Sequence, residues 1–118
     1  EVSIMQIERT DVGEIMSQAV VHGDMIYLAG QVSSDASDVT GQTQGVLDKI
    51  DALLARLGVQ KTRILSATIY LSDISTFAEM NDVWKKWVPV GATPARTTVE
   101  AKLVMPEFLV EITVVACR

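Results

Sequence analysis

The stretch from Phe108 to Ala116 constrains this chain more than any other, because the strand it would form is apolar on both faces. Alternation puts Val110, Ile112 and Val114 on one side and Leu109 and Val115 on the other. A strand of that kind belongs inside a sheet buried on both surfaces. The remainder of the 118 residues supplies only two helical stretches, enough to cover one face. The expectation is therefore a single α+β domain spanning residues 1–118, with its uncovered sheet face buried against other subunits. A hydrophobic fraction of 48% and a mean hydropathy of +0.27 agree with extra buried surface.

The two helices are legible from their periodicity. Between residues 42 and 57, Val46, Leu47, Ile50, Leu53, Leu54 and Leu57 recur at helical spacing, and Gly58 supplies a C-terminal stop. Ser75 or Thr76 can cap the second, Thr76 with Glu79 forming a capping box. Phe77, Met80, Trp84 and Trp87 or Val88 give it an apolar stripe, and Pro89 and Gly91 end it. Strands are predicted over residues 3–8 at an edge, 16–21 and 25–32 as a hairpin turning at His22-Gly23-Asp24, and 64–71, 95–103 and 108–116. In the strand at 64–71, period two assigns Leu65, Ala67, Ile69 and Leu71 to one face and Ile64, Ser66, Thr68 and Tyr70 to the other. The order is β-β-β-α-β-α-β-β.

Several function classes fall away on composition. No apolar run approaches the ~20 residues a membrane helix needs, so no membrane partner is expected. Glu1-Val2-Ser3 reads as the start of a mature domain without a secretory signal, and a lone Cys117 suits a reducing, cytoplasmic compartment. His22 and Cys117 do not make a zinc site. A net charge of −5 with dispersed Lys and Arg argues against nucleic acid as a partner. Gly41 and Gly45 are too sparse for a phosphate loop, so no nucleotide cofactor is implied.

Three polar residues stand where chemistry is conceivable. Arg96 follows Pro94 at the head of a strand, on one face with Thr98, Glu100 and Lys102. It fits either a solvated strand face or a bidentate anchor for a carboxylate. Glu111 interrupts the most hydrophobic strand, where a carboxylate needs a partner or a raised pKa. It is either an ion-paired or interface residue or a general acid/base. Asn81 falls on the apolar stripe of the second helix, as an internal hydrogen-bonding brace or a ligand contact. The tryptophans and methionines read as core or interface filler.

Taken together, Tyr27-Leu28-Ala29-Gly30-Gln31-Val32, Ala67-Thr68-Ile69-Tyr70-Leu71-Ser72-Asp73, Met80-Asn81-Asp82-Val83-Trp84, Pro94-Ala95-Arg96-Thr97-Thr98-Val99 and Leu109-Val110-Glu111-Ile112 resemble the Rid (YjgF/YER057c/UK114) family, from about Ser17 to the C-terminus. The resemblance implies a chorismate-mutase-like two-layer α+β sandwich, a mixed sheet with two helices on one face, and a homotrimer with active sites in clefts between subunits. It implies hydrolysis of reactive 2-imino or enamine acids to 2-keto acids and ammonia, with no metal or cofactor. By resemblance, Arg96 and the backbone N–H of Thr98 bind the substrate carboxylate, Glu111 activates water, and Gly30 and Asn81 line the same cleft. Met16 stands near where archetypal members carry a tyrosine, Ala29 where they carry a serine, and Thr98 where they often carry a cysteine. The first two replacements remove hydroxyls from the substrate-binding cleft, which points to a sister subgroup. The same resemblance admits a non-catalytic carboxylate-binding trimer or, by the name attached to part of the family, an endoribonuclease.

Overall fold

A computed structural model describes residues 6–118. The first five residues, including the start of the strand expected at 3–8 and the mature-start reading of Glu1-Val2-Ser3, lie outside them. Six strands and two helices follow in the expected order: β1 (Ile7–Thr10), β2 (Ala19–His22), β3 (Met25–Leu28), α1 (Val39–Arg56), β4 (Ile64–Leu71), α2 (Phe77–Trp87), β5 (Ala95–Glu100) and β6 (Val110–Cys117). Short 3-10 turns precede β4 and α2. Among the described residues no helix is long and apolar enough to cross a membrane.

The strands form one sheet in the order β1-β2-β3-β6-β4-β5, parallel only between β4 and β5. β6 returns antiparallel between β3 and β4, so β3-α1-β4 is a split crossover and β4-α2-β5 a simple one. Both crossovers step the same way along the sheet, and crossovers of one hand then place both helices on one face. The doubly apolar strand thus sits inside the sheet. Val110, Ile112, Val114 and Ala116 point into a core shared with Val46, Leu47, Ile50, Met80 and Trp84, all buried. The opposite face carries Val20, Tyr27, Thr68, Tyr70, Val99, Thr113 and Val115, in cross-strand register. Tyr27 and Val99 remain exposed there, as does Leu65 at the start of β4.

Local chemistry accounts for where the elements depart from the pattern. α1 begins three residues before the expected Gln42, because Asp38 caps it, its Oδ1 accepting from the Gly41 amide at 2.8 Å. Gly58 closes the other end at φ +71°, with its amide donating to Ala55. The capping box at Thr76 and Glu79 does not form. Asp73 organises the turn instead, accepting from the Ser75 amide at 2.9 Å, while the Thr76 hydroxyl donates to the Asp73 carbonyl. α2 buries Met80, Val83, Trp84 and Trp87, but leaves Phe77 partly exposed. At the start of β4 a bulge between Ile64 and Ser66 shifts the register. Ile64 consequently enters the core and Leu65 faces outward, the reverse of strict alternation.

The hairpin's second strand stops at Leu28 rather than running on to Val32. Tyr27 pairs with Val115, whereas Gln31 pairs with Ile112, a slip of one residue. The Leu28 carbonyl freed by the kink accepts from the Thr113 hydroxyl at 2.9 Å.

Candidate active site

Two clusters contain the residues singled out in the sequence, and the kink after Leu28 builds the first. Gln31 exchanges both backbone hydrogen bonds with Ile112, at 2.9 and 3.1 Å. Its buried side chain donates to Gln18 Oε1 and to the Ala29 carbonyl, both at 3.0 Å. Gly30 is thereby pinned against Glu111, so closely that a Cβ there would lie 2.1 Å from Glu111 Oε2. The missing side chain is what admits the carboxylate.

Glu111 is half-buried rather than enclosed. It opens into a cleft of about 780 Å³ whose walls include Met16, Gly30, Leu53 and Val104. Met16 is half exposed at this wall rather than core filler. It is carried on a loop closed by Gln18 N–H donating to the Thr10 carbonyl at 2.9 Å and Gly13 N–H to the Met16 carbonyl at 2.8 Å. A two-pronged ion pair from Arg56 to Asp11, at 2.7 and 2.9 Å, ties the loop to α1. The Arg56 hydrogen bond, the largest influence, holds the Asp11 carboxyl below its ordinary pKa. Ala29 is adjacent in the chain but does not line this cleft; its backbone serves the Gln18 and Gln31 hydrogen bonds.

The second cluster surrounds Arg96 on β5. Its guanidinium carbon lies 5.4 Å from the Trp84 ring centroid and 5.5 Å from that of Phe77, and Nη1 donates to Asn81 Oδ1 at 2.7 Å. Asn81 is thus a hydrogen-bonding brace, and the group it braces is Arg96. Desolvation lowers the Arg96 pKa from the ordinary arginine value. Among the described residues no carboxylate pairs with it, leaving most of its five N–H donors uncommitted. Thr98 follows on the same face, as alternation requires.

Within one chain these clusters face opposite ways. Arg96 pairs across the ladder with Ala67 and Glu111 with Tyr70, and residues an odd number apart on β4 point to opposite sides of the sheet. Met16, Gly30 and Glu111 stand together, and so do Arg96, Asn81 and Thr98, but a single chain does not bring all six into one cleft.

Sequence reasoning missed three contributors. Periodicity places Phe77 and Trp84 on one apolar stripe; Trp84 is buried in the core as expected, and what the sequence did not show is that both rings also flank Arg96, a shared wall that their spacing relative to Asn81 on α2 could have suggested. Gln42, buried at the start of α1, donates to the Ala36 and Glu107 carbonyls and accepts from the Leu109 amide at 2.8 Å. It fixes the entry to β6 and hence the height of Glu111; only a polar residue in an otherwise apolar helical stripe hinted at it.

The architecture and both clusters define a small α+β domain with a partly desolvated arginine that has no carboxylate partner among the described residues and a carboxylate in a cleft. The profile described as Endoribonuclease L-PSP matches residues 9–118. The RutC family protein YoaB of Escherichia coli K12 is 41% identical over 112 residues, covering 95% of this chain and 98% of that protein. A RutC family protein of Haemophilus ducreyi is likewise 41% identical, covering 93% and 95%. Among solved structures, a YjgF family member from Neisseria meningitidis superposes with a TM-score of 0.95 at 42% identity, covering 97% of this chain and 96% of that one. The chain belongs to the Rid/YjgF family, and its fold is that of the family.

Proposed function

We propose that the protein hydrolyses reactive 2-imino or enamine acids to 2-keto acids and ammonia, binding the substrate carboxylate at Arg96 and activating water at Glu111. One observation carries the proposal: Arg96 is a partly desolvated cation, oriented by two rings and a neutral amide, with no carboxylate partner among the described residues. Ion pairing inside the protein would have used the charge. A braced fork with free donors suits a planar anion arriving from outside.

The chemistry asks little more. A protonated imine carbon is already electrophilic, so positioning and one acid/base group suffice, without metal or cofactor. Glu111 takes a proton from water as the oxygen attacks the protonated imine carbon and returns it to the nitrogen of the carbinolamine; as the C–N bond breaks and ammonia departs, Glu111 accepts the hydroxyl proton, the carbonyl forms, and that proton passes to the ammonia, which leaves as ammonium. The opposite orientations of Arg96 and Glu111 require a second copy of the chain to complete the site. The edge position of β5 and the apolar outer sheet face support a homotrimer in which Arg96 of one subunit serves Glu111 of another.

The test generates a 2-imino acid from an amino acid and an oxidase and follows its loss with and without the protein. Arg96→Ala and Glu111→Gln should each abolish the acceleration. Co-refolding the two variants should restore part of it through mixed trimers, whereas mixing that restores nothing rejects the shared site. One observation favours a second reading: Met16 brings a thioether rather than a hydroxyl to the Glu111 cleft. A non-catalytic trimer sensing carboxylate metabolites would show ligand-dependent melting in wild type and Glu111→Gln alike, with turnover in neither.

A further inference from the structure

The cleft that holds Glu111 is larger than the hydrolysis of an imine needs. Its volume of about 780 Å³ lies in the range that takes ligands of drug size. A 2-imino acid with a one-carbon side chain leaves most of it empty. The extra space has a definite construction. Lys49, Ala52, Leu53 and Arg56 are spaced as one stripe of α1, and that stripe lines the cleft. Met16 lines it too, on the loop that the Arg56–Asp11 ion pair ties to the same stripe. Between them Ala52 contributes only a methyl group, and it is exposed. The charges around this slot are engaged with the protein itself: both terminal nitrogens of Arg56 donate to Asp11, and Lys49 Nζ donates to the Val32 carbonyl at 2.7 Å. What it offers a ligand is the apolar surface of Met16, Ala52, Leu53 and Val104.

We infer that the slot between α1 and the Met16 loop is a side-chain subsite, and that the preferred substrates are 2-imino acids with large apolar side chains, of the leucine, methionine and phenylalanine kind, over those with one or two carbons. With the imine carbon at Glu111, a longer side chain reaches along the α1 stripe and leaves water against Met16 and Leu53. Each buried methylene then favours the reaction roughly fourfold. Met16 is unbranched and flexible, so its wall adapts to side chains of different shape. A charged side chain gains nothing there, because it gives up its hydration without an uncommitted partner. The inference rests on the reading of Glu111 as the group that meets the imine carbon.

The test measures kcat/KM of the intact protein for 2-imino acids generated from leucine, alanine and glutamate. The leucine-derived substrate should exceed the alanine-derived one by about tenfold or more, and the glutamate-derived one, long but charged, should not. Ala52→Phe fills the slot from an exposed helix position, so the leucine-to-alanine ratio should fall to about one. Met16→Ser should lower that ratio severalfold, and Met16→Leu should hold it within about threefold of wild type. Equal rates for leucine and alanine in wild type overturn the inference, as does a glutamate-derived substrate that matches the leucine-derived one, or a ratio that Ala52→Phe leaves unchanged. No acceleration with any substrate rejects the hydrolysis instead. Calorimetry then judges the subsite by itself, with 4-methyl-2-oxopentanoate and pyruvate as probes. Tighter binding of the larger acid, lost in Ala52→Phe, upholds the subsite in a non-catalytic protein; equal binding, or none, overturns it.

Discussion

Replacing Gly30 with alanine isolates the positioning of Glu111 from the stability of the fold. A Cβ at residue 30 would stand 2.1 Å from Glu111 Oε2, 2.9 Å from its Cδ and 3.2 Å from its Cγ. Ordinary contact begins near 3.4 Å, so the carboxylate must retreat by more than 1 Å and the whole side chain must turn. All three obstructing atoms belong to one flexible side chain beside an open cleft, and the backbone gives way nowhere. Gly30 is absent from the positive-φ glycines, which are Gly23, Gly58 and Gly91, so alanine is sterically allowed. Stiffening the unfolded chain contributes about 0.4–1 kcal/mol in alanine's favour, offsetting the displaced contact. The melting temperature should therefore stay within about 5 °C of wild type. A reacting group moved by ~1 Å costs about a hundredfold in rate, the fall expected in kcat/KM for 2-imino acid hydrolysis. The double variant Gly30→Ala with Glu111→Asp, whose shorter side chain makes room, should lose less than the product of the two single losses. Full activity in Gly30→Ala would refute the reasoning, because the carboxylate would then have no fixed station to lose.

Arg96→Ala should weaken binding of a 2-keto acid by about 2–5 kcal/mol if the pair is desolvated, read by calorimetry; an unchanged KM rejects the anchor. Asn81→Ala removes a 2.7 Å brace but leaves both rings beside the guanidinium, so affinity should fall about tenfold, less than in Arg96→Ala. In urea unfolding, Ile64→Ala should cost about 2–5 kcal/mol and Leu65→Ala less than about 1 kcal/mol, and the opposite order would place the bulge wrongly.

The sequence by itself determined the order of the elements, the two-layer architecture and the identity of the unusual polar residues, because each rests on information local to the chain. The Leu47, Ile50, Leu54 stripe can be nothing but a buried helix, and the Phe108–Ala116 pattern demands an interior strand. The residues around Arg96 and Glu111 carried the family resemblance, and family membership followed. Tertiary structure decided whatever depends on a partner distant in sequence. Alternation misplaced Ile64 and Leu65, because a bulge answers to the neighbouring strand rather than to its own period. Phe77 looked like core until β5 brought Arg96 alongside it. Gln42 stands out in the sequence only as a polar residue in an apolar stripe; that its side-chain oxygen accepts from the Leu109 amide, 67 residues away, and so holds the entry to β6 is a tertiary fact. Above all, the sequence names Arg96 and Glu111 as one pair, while the parity of the strand ladders turns them to opposite faces of the sheet. That parity is fixed by which residues face each other across β4, a relation between strands that no single strand encodes.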